Sequence, residues 1–136
     1  MANGNLAKTY ATIIGVVLVA VGLIGFIPNP IASNDPNAIF QVNAIHNIVH
    51  LLTGAAALYI AFGIEGEARR GQALMVFGAV YALVLIATLV DPELFGLFAD
   101  APVNTADHVL HAALALGSIA VGYLARNQGG QTVVTR

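Results

Sequence analysis

All four histidines of the chain lie in two short segments, each at the start of an apolar stretch. His46 and His50 are four residues apart, His108 and His111 are three apart, and Asp107 precedes His111 by four. On a helix these spacings place side chains on one face. Imidazoles on one face can bind a single transition-metal ion, and a carboxylate can add a ligand or orient an imidazole. The five residues therefore form a candidate site for Zn, Cu or Ni, or for the axial ligation of a haem.

Two other interpretations of the histidines stay open. Polar side chains in membrane proteins often hydrogen-bond between helices and hold them together. Histidine also titrates near neutral pH, so a proton-relay or ion-handling role is consistent with the same residues. The sequence does not choose between a metal or haem site, interhelical hydrogen bonding and proton handling.

The composition indicates a membrane protein made of one domain, residues 1–136. Of the 136 residues, 58% are hydrophobic and 9% are charged, whereas soluble domains carry about 25% charged residues. Such a surface suits a lipid bilayer, which is the first partner we expect. The net charge of −2 offers no basic surface to nucleic acid. The absence of cysteine excludes a disulfide framework and thiolate ligands.

Four apolar stretches approach the length of about 20 residues that a membrane-spanning helix needs. They cover residues 10–27, 44–63, 72–90 and 106–125. The first is longer than the apolar core of a signal peptide, about 7–15 residues, so we expect it to be a span. Between the spans we predict a loop rich in Pro and Asn, a charged turn at 65–71, and a loop at 93–105 whose residues 94–98 lie in the membrane interface. A disordered tail is predicted from Arg126 to Arg136.

The distribution of cations predicts the topology. All five fall on one side of a four-span protein, at Lys8, Arg69, Arg70, Arg126 and Arg136. The positive-inside rule then places both termini in the cytoplasm of a multi-pass protein of the bacterial inner (plasma) membrane. Aromatic residues are expected at both interfaces, with Phe26, Phe40, Phe95 and Phe98 on the outer side.

The two histidine segments are copies of one another, offset by 61 residues. Val42–His50 corresponds to Val103–His111, which predicts two hairpins of the same orientation related by an axis along the membrane normal. Asn43 and Asn104 stand where helices should begin, and Asn is a strong N-cap. Matching stripes of polar and small residues predict packing faces. They are Asn43, Asn47, His50, Gly54, Ala57 and Ala61 in the second span, and Asn104, His108, His111, Ala115, Ser118 and Gly122 in the fourth.

These motifs resemble those of the domain-of-unknown-function 4383 family of small bacterial membrane proteins. The resemblance rests on Asn43-x-x-His46-Asn47-x-x-His50-x-x-x-Gly54, on Val103-Asn104-Thr105-Ala106-Asp107-x-x-x-His111 and on the four short spans. It implies a four-helix integral membrane protein with no assigned activity. The family pattern has Asn at the position of His108, so the resemblance makes His50 and His111 the strongest candidates for a shared role.

Together these features predict an all-α fold, an integral membrane four-helix bundle built from two transmembrane hairpins. No nucleophile–base pair, phosphate loop or dinucleotide motif is present, so we do not expect an enzyme. The first functional hypothesis is an accessory or assembly element, in which the Asn and His clusters hold helices together. The second is a metal- or haem-binding protein, and the third is an oligomeric proton or ion conductor. The sequence leaves open a homo-oligomer or a larger membrane complex.

Overall fold

The computed structural model of the protein describes residues 4–128, which are mostly helical. Its four α-helices are α1 (Leu6–Ile24), α2 (Ala44–Phe62), α3 (Glu67–Val90) and α4 (Thr105–Gln128). Two short strands, β1 (Ala32–Ser33) and β2 (Phe40–Gln41), pair in parallel within the loop between α1 and α2. The four helices follow the order of the four predicted apolar stretches.

All four helices are long and apolar enough to span a membrane. Large aliphatic side chains cover their outward faces, and Leu52, Leu83 and Leu116 are 65–70% exposed. A soluble protein rarely presents apolar surface on this scale, whereas lipid solvates it without cost. The chain is therefore a multi-pass membrane protein.

Two boundaries differ from the prediction. The charged segment 65–71 is not all turn, because α3 already begins at Glu67, after Gly66 with a φ of 86°. Glu67 lies in the first turn, where a carboxylate favours the helix dipole, and faces Arg70 at 3.6 Å. The prediction of a disordered tail from Arg126 was wrong for its first residues, since α4 continues to Gln128. The rest of that tail, including Arg136, lies outside the described residues.

Close backbone contacts at glycines join α1 to α2 and α3 to α4. A Cβ added at Gly15 would come within 3.1 Å of the Gly54 carbonyl, and one at Gly54 within 3.0 Å of the Gly15 carbonyl. Gly71 and Gly122 are closer still, since a Cβ on either would lie 2.5–2.6 Å from the other's carbonyl. Small residues allow such approach between helices in lipid. The helices within each pair contact each other far more than helices of different pairs do.

The two pairs share one apolar core, to which every helix contributes. Leu18, Leu74, Ala57 and Ala125 are 0% exposed, one from each helix. The backbones of α2 and α4 lie on a diagonal and remain more than 8 Å apart over the described residues. Long side chains must fill that gap. We call the end at which α2 and α4 begin the histidine end, and the end at which α3 begins the opposite end.

The two loops at the histidine end hold each other through asparagine side chains. Asn43 donates from Nδ2 to the carbonyl of Leu97 (2.9 Å) and to Asp100 Oδ1 (2.6 Å). Asn104 donates from Nδ2 to the carbonyl of Ile39 (3.0 Å). Each asparagine therefore stands at the start of one helix and binds the loop that precedes the other.

Candidate metal centre

Three histidines from two helices meet at the histidine end. His46 and His50 extend from the first two turns of α2, and His111 from the second turn of α4. One imidazole nitrogen of each lies within 4.8 Å of one nitrogen of both others. The ring centroids are 4.5 Å apart for His46 and His50, and 6.0 Å apart for His46 and His111. All three residues are 1–2% exposed.

Four of the six ring nitrogens of this triad are buried without a hydrogen-bond partner in the described part of the chain. Within residues 4–128, no protein group hydrogen-bonds to His46 Nδ1, to either nitrogen of His50 or to His111 Nδ1. Leaving a buried polar group without a partner costs about 1–3 kcal/mol. Buried polar atoms in folded proteins are nearly always paired, so a cluster of unpaired ones needs an explanation. Nitrogen atoms converging on one point are the arrangement that a metal ion requires.

Helix capping fixes where the triad's first member lies. Asn43 accepts a hydrogen bond at Oδ1 from the backbone N–H of His46 (2.9 Å), which caps α2 at its N-terminus. Asn104 Oδ1 accepts a hydrogen bond in the same way from the backbone N–H of Asp107 (3.0 Å). Asp107 Oδ2 in turn accepts a hydrogen bond from the backbone N–H of Asn104 (3.4 Å). This reciprocal pair is a capping box, which satisfies two amides of the first turn.

Two aromatic residues pack against the triad, and the sequence analysis did not predict either of them as part of the site. Phe98 stacks on His46 with centroids 4.9 Å apart and planes 25° apart. Tyr81 packs beside His111 at 5.8 Å and donates from its hydroxyl to Thr53 Oγ1 (2.7 Å). Phe98 was expected at the membrane interface, but it is 4% exposed while Phe95 is 91% exposed. The left-handed backbone at Leu94 and Phe95 reverses the loop and turns Phe98 inward.

His108 does not join the triad. It is half-buried, and it is not among the three residues whose nitrogens converge. Its Nε2 is buried without a hydrogen-bond partner within residues 4–128, and the prediction that His108 belongs to the cluster stays a prediction. The counterpart of His108 in the first copy, Asn47, is 1% exposed and packs on α1, where a Cβ at Gly25 would collide with its amide. This position faces the neighbouring helix of the same pair, and the triad faces the space between the pairs.

Asp107 lies outside the triad of converging nitrogens but shares its burial. It is 0% exposed, and its Oδ1 has no hydrogen-bond partner within residues 4–128. Asn43, Asn47 and Gly54, the other predicted structural residues, are all buried, whereas Asn104 is partly exposed.

The triad fits a metal ion better than a haem. Zn–N bonds of 2.0–2.1 Å in tetrahedral geometry place ligand nitrogens about 3.4 Å apart. The nitrogens here lie within 4.8 Å of one another, so side-chain rotations that shorten the spacing by at most about 1.4 Å would bring them to a metal ion. A porphyrin needs a wide, flat space beside its axial imidazoles. Phe98 and Tyr81 already occupy the sides of His46 and His111. We therefore set the haem interpretation aside.

Comparison with known protein families identifies relatives of the chain. The family described as Domain of unknown function (DUF4383) matches residues 8–124, which include all of α2 and α3 and most of α1 and α4. The chain belongs to this family. No curated protein and no solved structure matches it. Membership in DUF4383 agrees with the resemblance of the asparagine and histidine motifs and assigns no chemistry to them.

Proposed function

We propose that this member of DUF4383 binds a transition-metal ion through His46, His50 and His111. The observation that carries the proposal is the convergence of three buried imidazoles, four of whose six nitrogens are buried without protein partners among the described residues. Imidazole in its neutral form is a common ligand of Zn, Cu, Ni and Co, and cysteine, the usual soft alternative, is absent from the chain. Three protein ligands leave at least one coordination position for another group.

The alternative in which histidines hold helices together receives less support. It needs hydrogen bonds from the imidazoles to other helices. The polar contacts that do cross between helices at this end come from other residues, such as Tyr81 to Thr53. If packing alone were selected, replacing the histidines with apolar residues would remove the cost of the unpaired nitrogens.

Proton or ion conduction also receives less support. A conducting path needs polar groups or water along its length. Toward the opposite end, the core beyond the triad is mostly apolar: Leu18, Leu74 and Phe77 are each at most 8% exposed, and the buried Ser118 bonds to Tyr10. We therefore propose a non-enzymatic accessory role, in which the bound ion fixes α2 against α4 and so sets the arrangement of the two helix pairs.

The proposed membrane arrangement follows the repeat and the cations. Gly15 meets Gly54, and Gly78 meets the carbonyl of Ala115, which lies 61 residues after Gly54. These contacts support two hairpins related by a parallel repeat within a four-helix bundle. Lys8, Arg69 and Arg126 lie at the opposite end, so that end would face the cytoplasm and the histidine end the exterior of a bacterial inner membrane.

Cobalt binding to the detergent-purified protein, with any affinity tag removed, tests the proposal. Co²⁺ should give the d–d absorption bands typical of nitrogen and oxygen ligands. The intensity of these bands should saturate at one ion per chain. Zn²⁺ should displace it and raise the thermal stability, because an ion that binds only the folded state stabilises it. His50→Asn and His111→Asn should each weaken binding roughly 100-fold or more, since even residues that only support ligands contribute 10- to 100-fold.

His108→Asn is the matched control, because it removes the one histidine that lies outside the triad. It should leave the stoichiometry and the affinity unchanged. Saturable binding that all three substitutions leave intact would place the metal elsewhere. Absence of binding by the unaltered protein would reject the proposal.

A further inference from the structure

We propose that Asp107 is a fourth ligand of this metal site and shifts its preference toward harder divalent ions such as Mn²⁺ and Fe²⁺. The inference rests on the proposed function and adds a residue that the geometric triad does not include. It depends on three observations: the burial of an unpaired carboxylate oxygen, the position of Asp107 in the repeat, and the charge that the site must bury.

The unpaired oxygen cannot be explained by helix capping. Asp107 Oδ2 accepts the Asn104 N–H, which accounts for one oxygen of the carboxylate. Oδ1 is left without a protein donor although the residue is 0% exposed. An isolated carboxylate in a medium of low dielectric constant is among the most costly groups to bury, and such groups are normally paired or bound to metal. A cation beside Oδ1 would remove that cost.

The repeat places Asp107 opposite a member of the triad. With an offset of 61 residues, His50 corresponds to His111 and His46 corresponds to Asp107. The reciprocal bonds of Asn43 and Asn104 to the opposite loops support this register. A two-fold relation between the hairpins would give Asp107 the same place relative to His50 that His46 has relative to His111, whose rings lie 6.0 Å apart. The Asp107 carboxylate does not lie within 4.8 Å of all three imidazole nitrogens.

The charge of the site favours a carboxylate. Three neutral imidazoles around a divalent ion leave a net charge of +2 at a position where the ligands are 1–2% exposed. The cost of burying charge rises with its square, so one carboxylate that lowers the charge to +1 reduces that cost to about a quarter. The described cations lie toward the opposite end and leave the carboxylate free of competing partners.

Ligand chemistry then gives the preference. A site of imidazoles alone selects Zn, Cu and Ni, whereas carboxylate oxygen suits harder ions such as Mn²⁺. Asp107 should therefore matter more for Mn²⁺ than for Zn²⁺. If Asp107 served only to cap α4, its replacement would change the affinities for both ions equally or change neither.

Two substitutions at position 107 separate these roles, with Mn²⁺ and Zn²⁺ as the probes. Asp107→Asn keeps the size and one acceptor oxygen, so the cap and the fold should persist. It should weaken Mn²⁺ binding by roughly 10- to 100-fold, with a smaller loss for Zn²⁺. Asp107→His makes the two copies identical at this position and should retain Zn²⁺ binding while losing Mn²⁺. Thermal unfolding of the metal-free variants checks that both fold.

The outcomes distinguish this inference from the proposal beneath it. A ratio of Mn²⁺ to Zn²⁺ affinity that falls in both variants supports Asp107 as a ligand. An unchanged ratio in folded variants that still bind Zn²⁺ through the histidines would overturn the role of Asp107 and leave the triad standing. If the unaltered protein binds neither ion, the proposed metal site fails first. If Asp107→Asn does not fold but Asp107→His does, the ratio of Mn²⁺ to Zn²⁺ affinity in Asp107→His alone decides the outcome.

Discussion

The helices pack differently at the two ends of the core. At the opposite end, α3 and α4 approach through Gly71 and Gly122, and the charged side chains of Glu67 and Arg70 face each other there, although Glu67 Oε2 and Arg70 Nε make no hydrogen bond within residues 4–128. Glu67 accepts the backbone N–H of Ala7 from α1 and faces the guanidinium of Arg70. At the histidine end the diagonal helices α2 and α4 stand apart, and imidazoles fill the space between them without hydrogen-bond partners.

This difference indicates that the histidine end is not built for stability alone. Small residues would close that gap as they close the other contacts between helices. The protein instead places bulky polar rings there and encloses them with Phe98 and Tyr81. Unsatisfied polar groups in an otherwise well-paired fold tend to mark functional sites. At the opposite end the unbonded atoms, Glu67 Oε2 and Arg70 Nε, belong to an ion pair that compensates their charges, and the imidazoles have no such pair among residues 4–128.

The largest effect on stability is expected at the opposite end, from Gly122→Leu. A side chain here would meet the Gly71 carbonyl at 2.5 Å and the backbone nitrogen of Met75 at 2.9 Å. Neither can move away without separating α3 from α4, so we expect a loss of about 3 kcal/mol or more in the free energy of unfolding. Unfolding in mixed micelles measures this loss. Ala120→Leu, on the exposed face of α4, is the control and should cost less than about 0.5 kcal/mol. Equal effects would mean that the close approach is not required.

An intermediate effect is expected at the histidine end from Asn43→Ala. The substitution removes the cap on the His46 amide and the bonds to Leu97 and Asp100. Loss of an N-cap costs about 0.5–2 kcal/mol, and the loop that carries Phe98 would also be released. Metal-free unfolding and zinc affinity should therefore both decline. Asn37→Ala removes an exposed asparagine of the same region and should change neither. A variant that loses zinc affinity with no loss of stability would show that Asn43 acts on the site by another route.

The smallest effect on stability is expected from removing a tyrosine hydroxyl, and it should differ between two tyrosines, one toward each end. Tyr81 donates to Thr53 at 2.7 Å beside His111, whereas Tyr10 and Ser118 share a bond of 3.2 Å in a less buried position. A typical hydrogen bond contributes about 0.5–1.5 kcal/mol, and leaving a buried partner unpaired costs more. We expect Tyr81→Phe to destabilise the fold by about 1 kcal/mol and Tyr10→Phe by less. The reverse order, measured in the same micelles, would contradict the view that the histidine end has the more constrained polar interior.

The helices and the family could be predicted from the sequence, because long apolar stretches and repeated asparagine–histidine motifs are local signals. The membership of the site could be predicted only in part. His46 and His50 differ by about 40° around a helix axis, as do Asp107 and His111, whereas His108 is about 60° from His111 on the other side. Reading the repeat residue by residue pairs His108 with Asn47 and would have directed it toward the neighbouring helix.

The walls of the site depend on contacts that no local pattern encodes. Phe98 resembles any aromatic residue of a membrane interface until the left-handed turn at Leu94 and Phe95 directs it onto His46. The early start of α3 depends in part on tertiary contact, because Glu67 accepts the Ala7 N–H from α1 in addition to facing Arg70 of its own segment. Both features combine residues far apart in the chain, and a sequence pattern describes only near neighbours.

X-ray absorption at the zinc edge of the zinc-loaded, untagged protein tests the central claim most directly. The account predicts about three imidazole nitrogens at 2.0–2.1 Å, with the multiple scattering typical of histidine rings. His50→Asn should reduce that imidazole signal, and His108→Asn should leave it unchanged. A spectrum dominated by oxygen ligands, or one that responds to His108→Asn as strongly as to His50→Asn, would contradict the three-histidine site.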